Sequence, residues 1–73
     1  MIIITGPQGT DDERGFLIEM AGLLDAHTTF SLAVQWATVT AMYCLSGWES
    51  CPLAVADVSI GEAFGLAVQH LSV

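Results

Sequence analysis

The apolar positions in the first third of the chain predict a short strand followed by a helix. Residues 1–5, MIIIT, are largely β-branched, which suits a short strand. Such a strand must pair, for example with its twin in a second subunit, or else form an extended arm that packs over the helices. The turn GPQG follows. From Asp11 to Ala26, apolar residues recur every three or four positions, as on one face of a helix. Thr10 and Glu13 have the spacing of a capping box at its start.

The middle of the chain predicts a central helix over residues 29–45, because its apolar residues spread around most of a helical wheel. One face carries Phe30, Val34, Ala37, Ala41 and Cys44. The β-branched content of QWATVTAMYCL also permits a strand, and this alternative stays open. Gly47 is the expected C-terminal cap residue of the helix.

The last third of the chain predicts further helix. Pro52 suits the first turn of a helix, and Ser59 with Glu62 has the spacing of a second capping box, which favours a new helix there. Its apolar stripe is Ile60, Phe64, Ala67 and Leu71. The pattern as a whole predicts an all-α fold: one domain, residues 1–73, forming a compact bundle of three or four helices with a short N-terminal extended arm or strand.

The composition adds that part of the surface is expected to be apolar and covered by another protein chain. The chain has 73 residues, of which 53% are hydrophobic and 12% are charged, whereas an average domain has about 25% charged residues. A single small domain has too little interior for so many apolar side chains. The remainder is expected to form exposed patches. We therefore expect self-association, most simply as a homodimer.

The charge is strongly unbalanced. Eight acidic residues face a single base, Arg14, and the formal net charge is −7. Such a surface repels nucleic-acid phosphate and anionic lipid, so direct binding of DNA, RNA or a membrane is not expected. It favours the basic surface of another protein. The alternative is that the acidic residues only keep an apolar protein soluble.

The longest uncharged segment, residues 26–48, is interrupted by threonine, serine, glutamine and histidine. It has no flanking lysine or arginine, so we do not expect it to span a membrane. The chain starts without a basic segment of the secretory type, and a cytoplasmic location is expected. Cys44 and Cys51 are then expected as reduced thiols, although the short loop between them permits a disulfide.

The segment IIITGPQG resembles the start of the phosphate-binding loop of P-loop nucleotide hydrolases, whose pattern is G-x-x-x-x-G-K-[ST] after a strand. The resemblance implies phosphate binding and a parallel sheet. With Gly6 as the first glycine, however, Asp11, Asp12 and Glu13 occupy the positions of the second glycine, the lysine and the hydroxyl residue. Three carboxylates oppose phosphate binding. The remaining chain is also expected to be too short for the sheet of that family, so we predict no nucleotide site.

The other residues with chemical potential form no recognisable site. Cys44, Cys51, His27 and His70 include a C-x₆-C pair, which is looser than the spacing of structural zinc sites. Cys51 near a helix N-terminus has the setting for a lowered pKa, but nothing in the sequence positions a base or an oxyanion hole. We therefore predict no metal, no cofactor and no enzymatic activity.

These observations predict a non-enzymatic protein–protein interaction module. Its expected partner-binding residues are acidic, with an exposed Trp48 and its neighbour Glu49 as a second surface; the acidic set is Asp11, Asp12, Glu13, Glu19 and Asp25. The profile is similar to that of small acidic phage counter-defence proteins, of which anti-CRISPR proteins are one group. That similarity implies an inhibitor that occludes a basic nucleic-acid-binding surface. The alternatives are a structural subunit of a homo-oligomer and a small membrane-associated protein.

Overall fold

The structure is a computed structural model that describes residues 1–30 and 34–72. It contains two α-helices and a four-stranded parallel sheet of order β2-β1-β3-β4, so the all-α helical bundle predicted from the sequence is wrong. The elements are β1 (Ile2–Thr5), α1 (Asp11–Leu24), β2 (His27–Thr28), β3 (Ala41–Leu45), α2 (Pro52–Ala63) and β4 (Ala67–Leu71). Two single turns of 3₁₀ helix, Trp36–Thr38 and Trp48–Ser50, precede β3 and α2.

The sheet lies between the two helices, with a separate apolar cluster on each face. On one face, Ile3, Met42 and Cys44 pack with Val58 of α2. On the other, Ile4 and Leu45 pack with Leu17 and Ala21 of α1. Successive residues of β1 and β3 point to opposite faces, so both central strands are buried on both sides.

The predicted helix over residues 29–45 is absent from the described part of this segment. The chain instead forms the 3₁₀ turn Trp36–Thr38 and then β3, as in the strand alternative for this segment; residues 31–33 lie outside the described residues. The physical reason is that a strand covered on both faces is apolar at every position. Over a short run, this pattern cannot be distinguished from a helix that is apolar all round.

The last third is one helix followed by a strand. Helix α2 begins with Pro52 in its first turn, as predicted, but it runs through Ser59 without interruption, so the predicted second capping box does not start a helix. Gly65 turns the chain with a φ of +73°, and β4 takes the place of the predicted last helix. Gly61 is buried against Met42, so its small size allows close approach of a helix and a strand rather than of two helices.

The first third agrees with the predictions of a short strand and of helix α1. The capping box is present: Thr10 Oγ1 accepts from the Glu13 N–H at 3.1 Å, and Glu13 Oε1 accepts from the Thr10 N–H at 3.1 Å. Of the two alternatives for residues 1–5, the strand is confirmed and the extended arm is wrong, because β1 is hydrogen-bonded to β2 on one side and to β3 on the other. The chain is therefore long enough for a small parallel sheet, because β2 has only two residues and the other strands have four or five.

Candidate functional site

The carboxyl ends of the two central strands form the candidate site. Strand β1 leads into α1 on one face of the sheet, and β3 leads into α2 on the other face. The loops 6–10 and 46–51 therefore leave adjacent strands in opposite directions. In open α/β sheets, ligands bind in the crevice at such a point of divergence.

Two cavities open at this edge, with volumes of about 290 Å³ and about 390 Å³. Pro7 and Glu13 line both of them. The smaller is completed by Asp12, Phe16, Leu45 and Ser46. The larger is completed by Gly9, Gly47, Ser50, Cys51 and Pro52. The crevice is thus small, largely apolar and acidic at its rim.

Four polar side chains below the crevice form a cluster that we call the Asp57 cluster: Thr5, Gln8, Thr29 and Asp57. Asp57 Oδ2 accepts from Thr5 Oγ1 at 2.8 Å, from Thr29 Oγ1 at 2.6 Å and from Gln8 Nε2 at 3.3 Å. Gln8 Nε2 also lies 3.3 Å from the Gly6 carbonyl oxygen. The cluster joins α2 to the ends of β1 and β2. Because Asp57 already has three donors, its role here is to hold the loops in place.

Cys51 is the chemically distinctive residue of the larger cavity. It is the N-cap residue of α2, and its thiol makes no capping hydrogen bond. The nearby backbone N–H groups of Ala54, Gln8 and Leu53 lower its pKa, outweighing burial and the charge of Glu13, which raise it. Cys44 behaves in the opposite way: burial, with smaller effects of Glu49 and Asp57, raises its pKa to about 11. Of the two thiols, both free in the structure, Cys51 is therefore the one that ionises first.

The residues that line the crevice are poorly suited to holding an anionic ligand. Among the described residues that line the larger cavity, Glu13 is the only charged one. The sole base, Arg14, pairs with Asp11 and donates to the Gln8 carbonyl oxygen at 3.1 Å. The loop 6–10 lies after a strand and before a helix, but its surroundings lack the positive charge that phosphate binding requires. Within residues 1–30 and 34–72, no group of three or more His, Cys, Asp or Glu side chains is placed to hold a metal ion.

The predicted acidic residues are spread along α1 rather than gathered at one point. Asp11, Asp12 and Glu13 form its first turn and Glu19 lies in its middle, while Asp25 follows its last residue with a φ of +53°. Two of them have local roles in the helix: Asp11 pairs with Arg14, and Glu13 belongs to the capping box. The pair most available to a partner is Asp12 and Glu19.

Asp12 and Glu19 share one exposed helix face with two large apolar side chains. Positions 12, 16, 19 and 23 lie on the same side of a helix, and we call Asp12, Phe16, Glu19 and Leu23 the α1 outer face. Phe16 is 42% exposed and Leu23 is 80% exposed. The sequence pattern missed this surface, because Phe16 and Leu23 fit the same apolar stripe as the buried Leu17.

The second predicted surface is only half available. Glu49 is exposed, but Trp48 is partly buried against the apolar cluster that contains Met42 and Val58, and its ring lies 5.8 Å from that of His70 between centroids, tilted by 36°. The expectation of an exposed Trp48 is therefore wrong, because the 3₁₀ turn Trp48–Ser50 directs the indole back onto the sheet.

Neither helix in the described ranges is long and apolar enough to cross a bilayer. Comparison with protein-family models, curated proteins and solved structures finds no match to this chain.

Proposed function

We propose that the protein is a non-enzymatic interaction module whose α1 outer face binds a basic surface of a larger protein. The observation that carries this proposal is the combination of exposed apolar and acidic side chains on that face. Leaving Phe16 and Leu23 in water is unfavourable, and large apolar side chains within one exposed patch are typical of binding surfaces. A partner that covers them removes this cost.

The charge of the chain specifies the partner's chemistry. Within the described ranges, the single ion pair is Arg14–Asp11, so Asp12 and Glu19 have no counter-charge from the chain itself. A partner that buries the α1 outer face must supply positively charged side chains. Without them, the two carboxylates would lose their hydrating water and gain no ion pair in return. Nucleic acid and anionic lipid cannot do so, whereas a basic protein surface can.

Basic surfaces of this kind are characteristic of proteins that bind nucleic acid. Steric occlusion of such a surface would make the protein an inhibitor, as its similarity in profile to anti-CRISPR proteins implies. This mechanism requires only a small, negatively charged body docked over the basic surface, and no reaction at the crevice.

The test is affinity capture from the native host with matched baits, followed by binding measurements on the captured partner. Glu19→Gln removes one charge from the α1 outer face, and Glu62→Gln removes one from an exposed position on α2. We expect Glu19→Gln to weaken binding several-fold and to reduce its salt dependence, whereas Glu62→Gln has no effect. Phe16→Ala is expected to weaken binding by about tenfold or more.

Two outcomes would contradict the proposal. Equal loss of binding in Glu19→Gln and Glu62→Gln would show that net charge, and not this face, is recognised. A ternary complex in which the partner retains its nucleic acid while the chain is bound would exclude occlusion.

A second candidate function is thiol chemistry at Cys51, favoured by its lowered pKa and its position on the larger cavity. The thiolate could exchange with a small disulfide, forming a mixed disulfide and releasing one thiolate. When iodoacetamide labelling is measured over a range of pH, Cys51 is expected to react at a lower pH than Cys44. The variant Cys51→Ser should lose the labelling that occurs at the lower pH values. If both thiols react only at alkaline pH, this candidate is eliminated.

A further inference from the structure

We infer that β4 pairs with β4 of a second copy across a two-fold axis, which extends the parallel sheet through an antiparallel seam. The two edges of the sheet differ. At one edge, β2 is a strand of only two residues, His27 and Thr28, and the charged Asp25 lies two positions before it. The β4 edge has five residues, AVQHL, with no proline, lysine, arginine, aspartate or glutamate. Short strands, charges and prolines are the means by which proteins protect sheet edges, and β4 has none of them.

The geometry of β4 shows which backbone groups are available. The Leu71 carbonyl oxygen accepts from the Ser46 N–H at 3.0 Å, so the backbone groups of Leu71 face β3. Because these directions alternate along a strand, Gln69 and Ala67 also face β3, whereas the N–H and C=O groups of Val68 and His70 face away from the sheet. A strand with outward groups at alternate positions is complementary to itself when a second copy runs antiparallel.

A specific register follows. With the axis at Gln69, Val68 of one copy lies opposite His70 of the other, and each such pair can exchange both of its backbone hydrogen bonds. The two Gln69 side chains then meet across the axis, where their amides can donate to and accept from one another. No charged side chain of β4 has to be buried.

The distribution of charge favours a second copy at this edge over any other. Five of the eight acidic residues lie within positions 11–25. Helix α1 contacts β1 and β2, at the half of the sheet away from β4. Joining two β4 edges therefore places the two acid-rich helices at the outer ends of the continuous sheet. Contact through α1 would instead bring like charges together, which is unfavourable.

The interface is short, so we expect a reversible, concentration-dependent dimer rather than an obligate one. The first test uses the unmodified chain, with sedimentation equilibrium and amide hydrogen exchange by NMR over a range of concentrations. The expected mass rises toward twice that of one chain. The amides of Val68 and His70 become protected as concentration rises, while the Gln69 amide is protected at every concentration by its bond to β3.

A matched pair of variants provides the second test. His70→Ala and His70→Pro both remove the imidazole and its contact with the Trp48 ring, but only His70→Pro removes the outward N–H. Proline is tolerated on an edge strand where the N–H faces solvent. We expect His70→Pro to weaken dimerisation by about tenfold relative to His70→Ala, with circular dichroism confirming that both are folded. If His70→Pro is unfolded, the exchange experiment on the unmodified chain decides.

Three results would overturn the inference. These are a monomer at all concentrations, a dimer whose Val68 and His70 amides stay unprotected, and equal dimerisation of the two folded His70 variants. None of these results bears on the partner surface of α1, so this inference can fail without the proposed function.

Discussion

Removing the carboxylate of Asp57 should destabilise the whole fold, because this side chain links α2 to the ends of two strands. In Asp57→Ala, Thr5, Gln8 and Thr29 lose their shared acceptor. Thr5 is 0% exposed, so water cannot readily replace the acceptor of its hydroxyl group, whereas the Gln8 amide keeps the Gly6 carbonyl and Thr5 hydroxyl oxygens at 3.3 Å. Thr29 is partly exposed and can turn toward solvent.

The size of the effect follows from these exposures. A hydrogen bond to a charged group contributes about 1.5–3 kcal/mol, and a buried donor left without an acceptor costs about 1–3 kcal/mol. The bonds share one oxygen and are not additive, so we expect Asp57→Ala to cost about 2–4 kcal/mol in all. For a chain of this length, the total stability is expected to be about 4–11 kcal/mol. The loss is therefore a large fraction of the whole.

Urea unfolding followed by circular dichroism measures this cost. Ser59→Ala, at an exposed position on the same helix, is the control and should change the unfolding free energy by less than about 0.5 kcal/mol. A double-mutant cycle between Asp57→Ala and Thr29→Ala isolates one bond, with an expected coupling of about 1 kcal/mol. An Asp57→Ala variant as stable as the control, or a coupling near zero, would refute the assigned role of the cluster.

Three further predictions concern stability. Thr10→Ala removes the N-cap hydroxyl of α1 and should cost about 1 kcal/mol in thermal or urea unfolding. Gly6→Ala places a Cβ 2.9 Å from the Leu45 Cβ and should cost about 1–3 kcal/mol; Gly22→Ala, where the new methyl group meets nothing within 4 Å, should stabilise by about 0.5–1 kcal/mol. The pKa of Cys44 rises from 9.0 to about 11 on folding, so as the pH rises the thiol ionises in the unfolded chain before it ionises in the folded chain. The neutral thiol of Cys44 therefore contributes its full stabilisation of the fold below pH 9, and this stabilisation is lost as the pH rises to about 11. Unfolding measured between those pH values should show a steeper decline in the unmodified chain than in Cys44→Ala.

The parts of the fold that local signals specify were predictable, and the parts that depend on distant contacts were not. The start of α1 depends on Thr10 and Glu13, which lie within one turn of each other, and the start of α2 depends on Pro52. Strand β3 carries no comparable local signal. Its residues are apolar on both faces because a helix or a connecting segment covers each side, and the sequence pattern does not show which elements provide that cover.

The candidate site shows the same division. The strand–turn–helix context of the loop 6–10 was visible in the sequence, and so were the carboxylates at positions 11–13 that oppose phosphate binding. The Asp57 cluster was not visible, because Gln8 and Asp57 are 49 residues apart and neither belongs to a recognisable motif. The setting of Cys51 was visible on the helix side only; the contribution of the Gln8 N–H comes from a different loop.

The position of β1 in the middle of the sheet has a consequence for how the chain reaches its native state. Ile2 pairs with Ala41, and residues 6–40 separate the end of β1 from the start of β3, so the central pair of strands joins distant parts of the chain. Such non-local pairing slows folding and leaves apolar strands uncovered during the search. Mutual repulsion among chains of charge −7 opposes association of chains whose apolar strands are still uncovered. We therefore expect the acidic residues to limit aggregation while the chain folds, which is separate from any role in partner binding.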